Sequence, residues 1–109
     1  MIEVVSESRC IACDICVRVC PADVFQKDDR GLPMIARQDD CQTCFLCEIW
    51  CPTDALYVAE AADGPTGITE AEVEAKGLFG HYARALGWSK GRAGGSEHDT
   101  THHLRVAQV

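Results

Sequence analysis

A chain of 109 residues with a formal charge of −7 and a pI near 4.9 is the size of one small domain with an extension. So acidic a surface repels nucleic acid and anionic lipid, which argues against either as a partner. No apolar run approaches a membrane span, and Met1-Ile2-Glu3-Val4-Val5 lacks the basic start and apolar stretch of a secretion signal, so a cytoplasmic location is expected.

In chain order, Ile2 to Val5 predict a short strand. A cysteine-bearing loop follows. A short helix is expected from about Asp14 to the boundary set by Pro21, because the residue before a proline disfavours helical backbone. Val24-Phe25, Asp28-Asp29-Arg30-Gly31 and Pro33-Met34-Ile35-Ala36 read as strand, turn and strand. The second half repeats the plan, with a cysteine loop, a short helix to Trp50 and a strand over Leu56-Tyr57-Val58-Ala59.

All eight cysteines lie between Cys10 and Cys51. Cys41, Cys44, Cys47 and Cys51 each stand 31 positions after Cys10, Cys13, Cys16 and Cys20. The flanks repeat as well: Cys20-Pro21-Ala22-Asp23 answers Cys51-Pro52-Thr53-Asp54, Ile15 answers Leu46, and Phe25 answers Leu56. Residues 1 to about 60 therefore form two copies of a half-unit, each too small for a core of its own. A pseudo-two-fold packing with metal between the halves is expected. A disulfide scaffold would spread its bridges along the chain, and reducing compartments disfavour it. Zinc sites pair two Cys-x2-Cys knuckles, whereas these runs carry extra cysteines and no nearby histidine.

A cubane cluster needs four thiolates, and Cys-x2-Cys-x2-Cys lets one tight loop supply three of them. The runs thus point to two [4Fe–4S] clusters. The sequence closely resembles the bacterial dicluster ferredoxins over roughly residues 1 to 60. The resemblance implies an α+β double repeat and electron transfer. In runs of this form the fourth cysteine ligates the other cluster. Carried onto this chain, that assignment gives one cluster to Cys10, Cys13, Cys16 and Cys51, and the other to Cys41, Cys44, Cys47 and Cys20. Many members of the family carry glycine beside the second cysteine of each motif. Here those positions hold Ala12 and Asp14 in the first motif, Thr43 and Phe45 in the second. Phe45 and Trp50 are candidates to shield the second cluster, and Asp14 to place charge beside the first. The alternative is that these side chains point outward.

No catalytic residue is expected. The chain has no Gly-rich phosphate loop after a strand and no His-Glu-x-x-His helix. Ser6 and Ser8 have no credible triad partners, and Asp28, Asp29, Asp39 and Asp40 read as solvated charges beside turns.

Residues 1 to 62 form the expected cluster domain, and residues 63 to 109 an extension. Ala61 to Gly67 reads as a linker. Thr69-Glu70-Ala71-Glu72 is a capping-box pattern opening one helix to about Leu86, interrupted by Gly77 and Gly80. Leu78, Tyr82 and Leu86 share a face with Phe79 and Ala83 beside it, Gly87 suits a helix stop, and Trp88 follows. The four histidines, His81, His98, His102 and His103, are too scattered to suggest a metal site. Two readings of the extension stand: it packs back on the domain, or Leu78, Phe79, Tyr82, Leu86 and Trp88 bind a partner. The second is preferred, because aromatic anchors suit an interface. The layout resembles the small iron–sulfur subunits of flavoprotein complexes, the adenylylsulfate reductase beta subunits being nearest, although that family's first-motif insertion is absent here. The resemblance implies a fumarate-reductase-like, FAD-containing catalytic subunit as partner. A free-standing soluble ferredoxin and a metal-stabilised, non-redox interaction module are the alternatives.

Overall fold

The computed structural model describes residues 1–87. In chain order the elements are β1 (Ile2–Val5), α1 (Ile15–Val19), β2 (Phe25–Lys27), β3 (Pro33–Ile35), a 3₁₀ turn (Gln38–Asp40), α2 (Leu46–Trp50), β4 (Leu56–Val58), α3 (Glu70–Ala75) and α4 (His81–Ala85). The described residues thus form a small domain of mixed helix and strand.

Strand β1 alternates buried Ile2 and Val4 with half-buried Glu3 and Val5. It pairs antiparallel with β4, setting Ile2 against Val58 and Val5 against Leu56, with an irregularity between Ile2 and Val4. The first and last strands of the cysteine-bearing region thus lie side by side and close it. Strands β2 and β3 form a hairpin with Phe25 opposite Ile35. Its turn is built by Asp28, whose Oδ1 accepts from Arg30 N at 2.9 Å and Leu32 N at 3.0 Å. Gly31, at φ 80°, supplies the left-handed residue such a turn needs. Gln38 Nε2 donates to Ile2 O at 2.8 Å and ties the end of the hairpin to β1.

The main core gathers Ile2, Val24, Phe25, Ala55, Leu56 and Val58 with Cys16, Cys47 and Cys51. Each fully buried aliphatic or aromatic side chain here contributes about 1.5–3 kcal/mol relative to exposure. A second, smaller core joins Val4 to Val73 and Phe79, with Tyr57, Ile68 and Leu78 against it. Both sides of β1 are therefore covered, and the second side is covered by the extension.

The extension departs from expectation in two ways. In place of one helix over 69–86 there are two, because Gly77 and Gly80 adopt left-handed φ of 64° and 70° and turn the chain. The start is as expected: Thr69 caps α3, its Oγ1 accepting from Glu72 N at 3.2 Å. At the second break Gly80 N donates to Leu56 O at 3.2 Å, so the turn is stitched to β4. Secondly, two of the aromatic residues assigned to a partner, Phe79 and Tyr82, make contacts within the chain. Phe79 is buried beside β1, with the Arg9 guanidinium 4.9 Å from its ring centre. Tyr82 stacks on Phe45, their ring centres 4.0 Å apart and planes 12° from parallel. Burial of apolar area inside the chain outweighs holding such rings in water for a later contact. Leu78 packs against the same small core, Leu86 remains exposed, and Trp88 lies outside the described residues. The linker is also fixed: Thr66 N and Gly67 N donate to the Glu3 carboxylate, and the Thr66 hydroxyl joins them. Among the described residues no helix is long and apolar enough to cross a membrane.

Candidate metal centre

The two cysteine loops are shaped by the same backbone device. Ala12, Asp14 and Asp23 have φ of 56°, 65° and 54°; Thr43, Phe45 and Asp54, each 31 positions later, have 53°, 62° and 50°. Residues with a Cβ lose about 1–2 kcal/mol in this left-handed region. They hold it where the surroundings over-determine the turn. Asp14 and Phe45 sit at the N-cap positions of α1 and α2, so each helix starts directly out of a left-handed residue. Four of these six are the positions beside the second cysteines where glycine was missing, and their conformation accounts for the family preference.

These turns aim main-chain N–H groups at sulfur. Ala12 N reaches Cys10 Sγ and Thr43 N reaches Cys41 Sγ, each at 3.4 Å. Val24 N reaches Cys20 Sγ at 3.4 Å and Ala55 N reaches Cys51 Sγ at 3.3 Å. Ile2 N adds a further donor to Cys41 Sγ at 3.3 Å. Four of the donors form two pairs 31 residues apart. Such dipoles stabilise thiolate and raise the potential of a cluster bound to it.

The fold collects the thiols around two cavities. Cys10, Cys13, Cys16 and Cys51 line one, together with Val5, Ile11, Pro33 and Leu56. Cys41, Cys44, Cys47 and Cys20 line the other, together with Ile2, Val24, Phe45 and Val58. Each cavity takes three cysteines from one run and the fourth from the other. All eight cysteines stand as free thiols. Burial pushes the Cys16 thiol up to about 11, and pushes Cys47 up further. A buried thiolate needs a cation beside it, and metal coordination deprotonates a thiol outright. No three His, Cys, Asp or Glu side chains among the described residues converge closely enough to hold a single metal ion. The thiols surround a volume and not a point.

The other candidates divide. Phe45 walls the second cavity, whereas Trp50 is 53% exposed and is not part of that wall. Asp14 walls the first cavity, its Oδ2 3.2 Å from Lys27 Nζ. The sequence reading missed Glu48. Its side chain is fully buried next to Cys47 and accepts from Val58 N and Tyr82 N, each at 2.8 Å. His81 Nδ1 stands 2.9 Å from its Oε1. Burial holds the Glu48 carboxyl above its ordinary value, against the pull of these donors. One signal was available. The repeat places Val17 opposite Glu48, so an apolar position in the first half is an acid in the second.

The cysteine-bearing region is similar to known iron–sulfur proteins. Residues 9–56 match the family described as 4Fe-4S dicluster domain. A ferredoxin of Methanothermococcus thermolithotrophicus is 42% identical over 48 residues, 44% of this chain and 78% of that protein. An uncharacterized ferredoxin of Methanocaldococcus jannaschii is 44% identical over 46 residues, 42% of this chain and 73% of that one. An archaeal-type glutamate synthase [NADPH] of Dehalococcoides mccartyi is 36% identical over 52 residues, 48% of this chain and 10% of the enzyme. With its cysteine-lined cavities and these relatives, the chain belongs to the 4Fe-4S dicluster ferredoxins, iron–sulfur proteins that transfer electrons.

Proposed function

We propose that this chain is a one-electron carrier holding two [4Fe–4S] clusters, one on Cys10, Cys13, Cys16 and Cys51 and the other on Cys41, Cys44, Cys47 and Cys20. The observation that carries the reading is the sharing of both cavities between the two cysteine runs. Four thiols around a volume suit the corners of a cubane better than a single zinc ion, whose ligands lie about 2.3 Å from one centre. The walls are mostly apolar, and N–H groups aimed at Cys10, Cys20, Cys41 and Cys51 supply stabilisation that water would otherwise give. When bound, a four-iron cluster with four thiolate ligands accepts and donates single electrons and has no open iron for substrate. The protein's part is to hold it, shield it and set its potential.

The test is anaerobic purification with iron and sulfide analysis and EPR of the reduced protein. About eight irons and eight sulfides per chain are expected, from two cubanes. Zinc with no reduction signal would sink the reading. Cys20→Ser should disturb the cluster of the second run and Cys51→Ser that of the first. If each change spared the opposite run's cluster, the crossed ligand sets would be wrong.

A second reading makes the chain the iron–sulfur subunit of a larger, FAD-containing oxidoreductase. It is favoured by similarity to a segment that makes up 10% of a glutamate synthase, and by the exposed Leu86 at the end of α4. Size-exclusion of natively expressed protein separates the two. Co-elution with a flavoprotein supports the subunit, and a lone small monomer defeats it.

A further inference from the structure

We infer that α4 is a clamp on the second cysteine run, with Phe45 and Glu48 as the positioning residues that Tyr82 grips, so that release of Tyr82 loosens the second cluster and leaves the first in place. The inference rests on the two-cluster reading above.

Two contacts carry it, and both reach the second run. Tyr82 stacks on Phe45, which walls the second cavity. Tyr82 N donates to Glu48 Oε1 at 2.8 Å, and Glu48 follows Cys47 in α2. The rest of the extension is seated elsewhere: Glu74 of α3 pairs with Arg9, and Gly80 N donates to Leu56 O, a wall of the first cavity. The equivalent positions of the first run are Asp14 and Val17. Asp14 pairs with Lys27 of the hairpin, and Val17 packs in the main core. The grip therefore falls where the two halves of the repeat differ. An aromatic ring and a buried acid replace a small acid and an apolar residue, and the extension supplies the partners of both.

The clamp leaves one edge of the second cavity open. Cys44 is exposed, so the extension closes the Phe45 side and does not enclose the cluster. Its effect is to hold a loop. Phe45 sits at φ 62°, a conformation a phenylalanine leaves readily unless its ring is held. The ring is held between the cavity and Tyr82. Release of Tyr82 frees Phe45, and with it the segment joining Cys44 to Cys47.

The test is the rate at which an iron chelator bleaches the anaerobic holoprotein, followed in the visible. It uses wild type, Tyr82→Ala and Tyr82→Phe. An aromatic pair of this kind is worth a factor of about two to ten in an opening equilibrium. Tyr82→Ala should therefore speed half of the bleaching amplitude about two- to tenfold and leave the other half unchanged. Tyr82→Phe should restore the wild-type rate. The half is identified in single-cluster backgrounds. With Cys51→Ser, which leaves the second cluster, the acceleration should persist; with Cys20→Ser, which leaves the first, it should vanish. Equal acceleration of both halves, or none, would overturn the clamp while leaving two clusters standing. A wild-type protein with half the expected iron would overturn the two-cluster reading and the clamp with it.

Discussion

Replacing Glu48 by the residue that its repeat partner carries, Val17, gives the sharpest test of what joins the extension to the cluster domain. The carboxylate is fully buried and accepts two main-chain hydrogen bonds, from Val58 N in β4 and Tyr82 N in α4. Glu48→Val leaves both donors without a partner. A buried donor left unsatisfied costs about 1–3 kcal/mol. Val58 N is buried and keeps the full cost; Tyr82 N is part-buried and can regain water, so its share is smaller. Relief from burying an acid offsets part of the loss. The net expectation is about 1–3 kcal/mol, felt as easier opening of α4 and β4 and not as loss of the whole fold. Global unfolding is a poor readout, because loss of bound metal makes it irreversible. Native-state hydrogen exchange by mass spectrometry reads the local quantity. Peptides spanning 56–60 and 78–86 should exchange about ten- to a hundredfold faster in Glu48→Val, while peptides over β2 and β3 stay as in wild type. If the 78–86 peptide exchanged at the wild-type rate, Glu48 would not be the anchor of the extension.

Three further outcomes follow from the same contacts. Phe79→Ala empties a buried site between Val4 and Val73 and removes the ring beside Arg9. Such truncations cost about 3–5 kcal/mol, so limited proteolysis near Lys76 should become fast while the visible spectrum of the first cluster persists; unchanged proteolysis would show that the extension is held by other means. Thr43→Gly relieves a left-handed φ of 53° worth about 1–2 kcal/mol, less about 0.5–1 kcal/mol of added chain entropy. A slightly longer half-life against thermal bleaching is expected, and a shorter one would show that the Thr43 side chain outweighs the strain. The last outcome is a pH dependence. Burial raises the Glu48 carboxyl above its ordinary 4.5, so the folded chain binds that proton more tightly than the unfolded chain. The contribution is fully present below about 4.5 and is lost as pH rises through the raised folded value. Proteolytic susceptibility of the extension should therefore rise with pH over that window in wild type and lose this component in Glu48→Gln; identical profiles would refute the assignment.

Much of the fold is legible because it is local. The turn at Asp28 to Gly31, the stop at Pro21 and the Thr69 cap are each written within four residues, and all appear where expected. The cysteine sets are legible because spacing is a property of the chain. What the sequence hid depends on contacts across long separations. Glu48 and Tyr82 are 34 residues apart, and nothing local marks them as partners. Phe45 and Trp50 look like equal candidates to wall a cavity. A left-handed φ at Phe45 turns it inward, while Trp50, at the end of α2, stays half-exposed. Gly77 and Gly80 read as weak points in one helix, yet at Gly80 the absent Cβ is what lets α4 approach Asp54.

The duplication itself points to where this chain acquired something new. A perfect tandem repeat would give both cavities the same walls. The backbone keeps that symmetry closely: six left-handed residues and four N–H donors to sulfur fall in pairs 31 apart. The side chains break it at Asp14 against Phe45 and at Val17 against Glu48. Backbone geometry is what any cubane-holding loop needs, so it is held the same in both halves. The side chains around it are free to differ, and these two differences face α4. A carrier with two interchangeable clusters has no use for such a difference. Under the two-cluster reading, two sites gripped differently would differ in lability and potential, and that would give an electron a preferred place to rest.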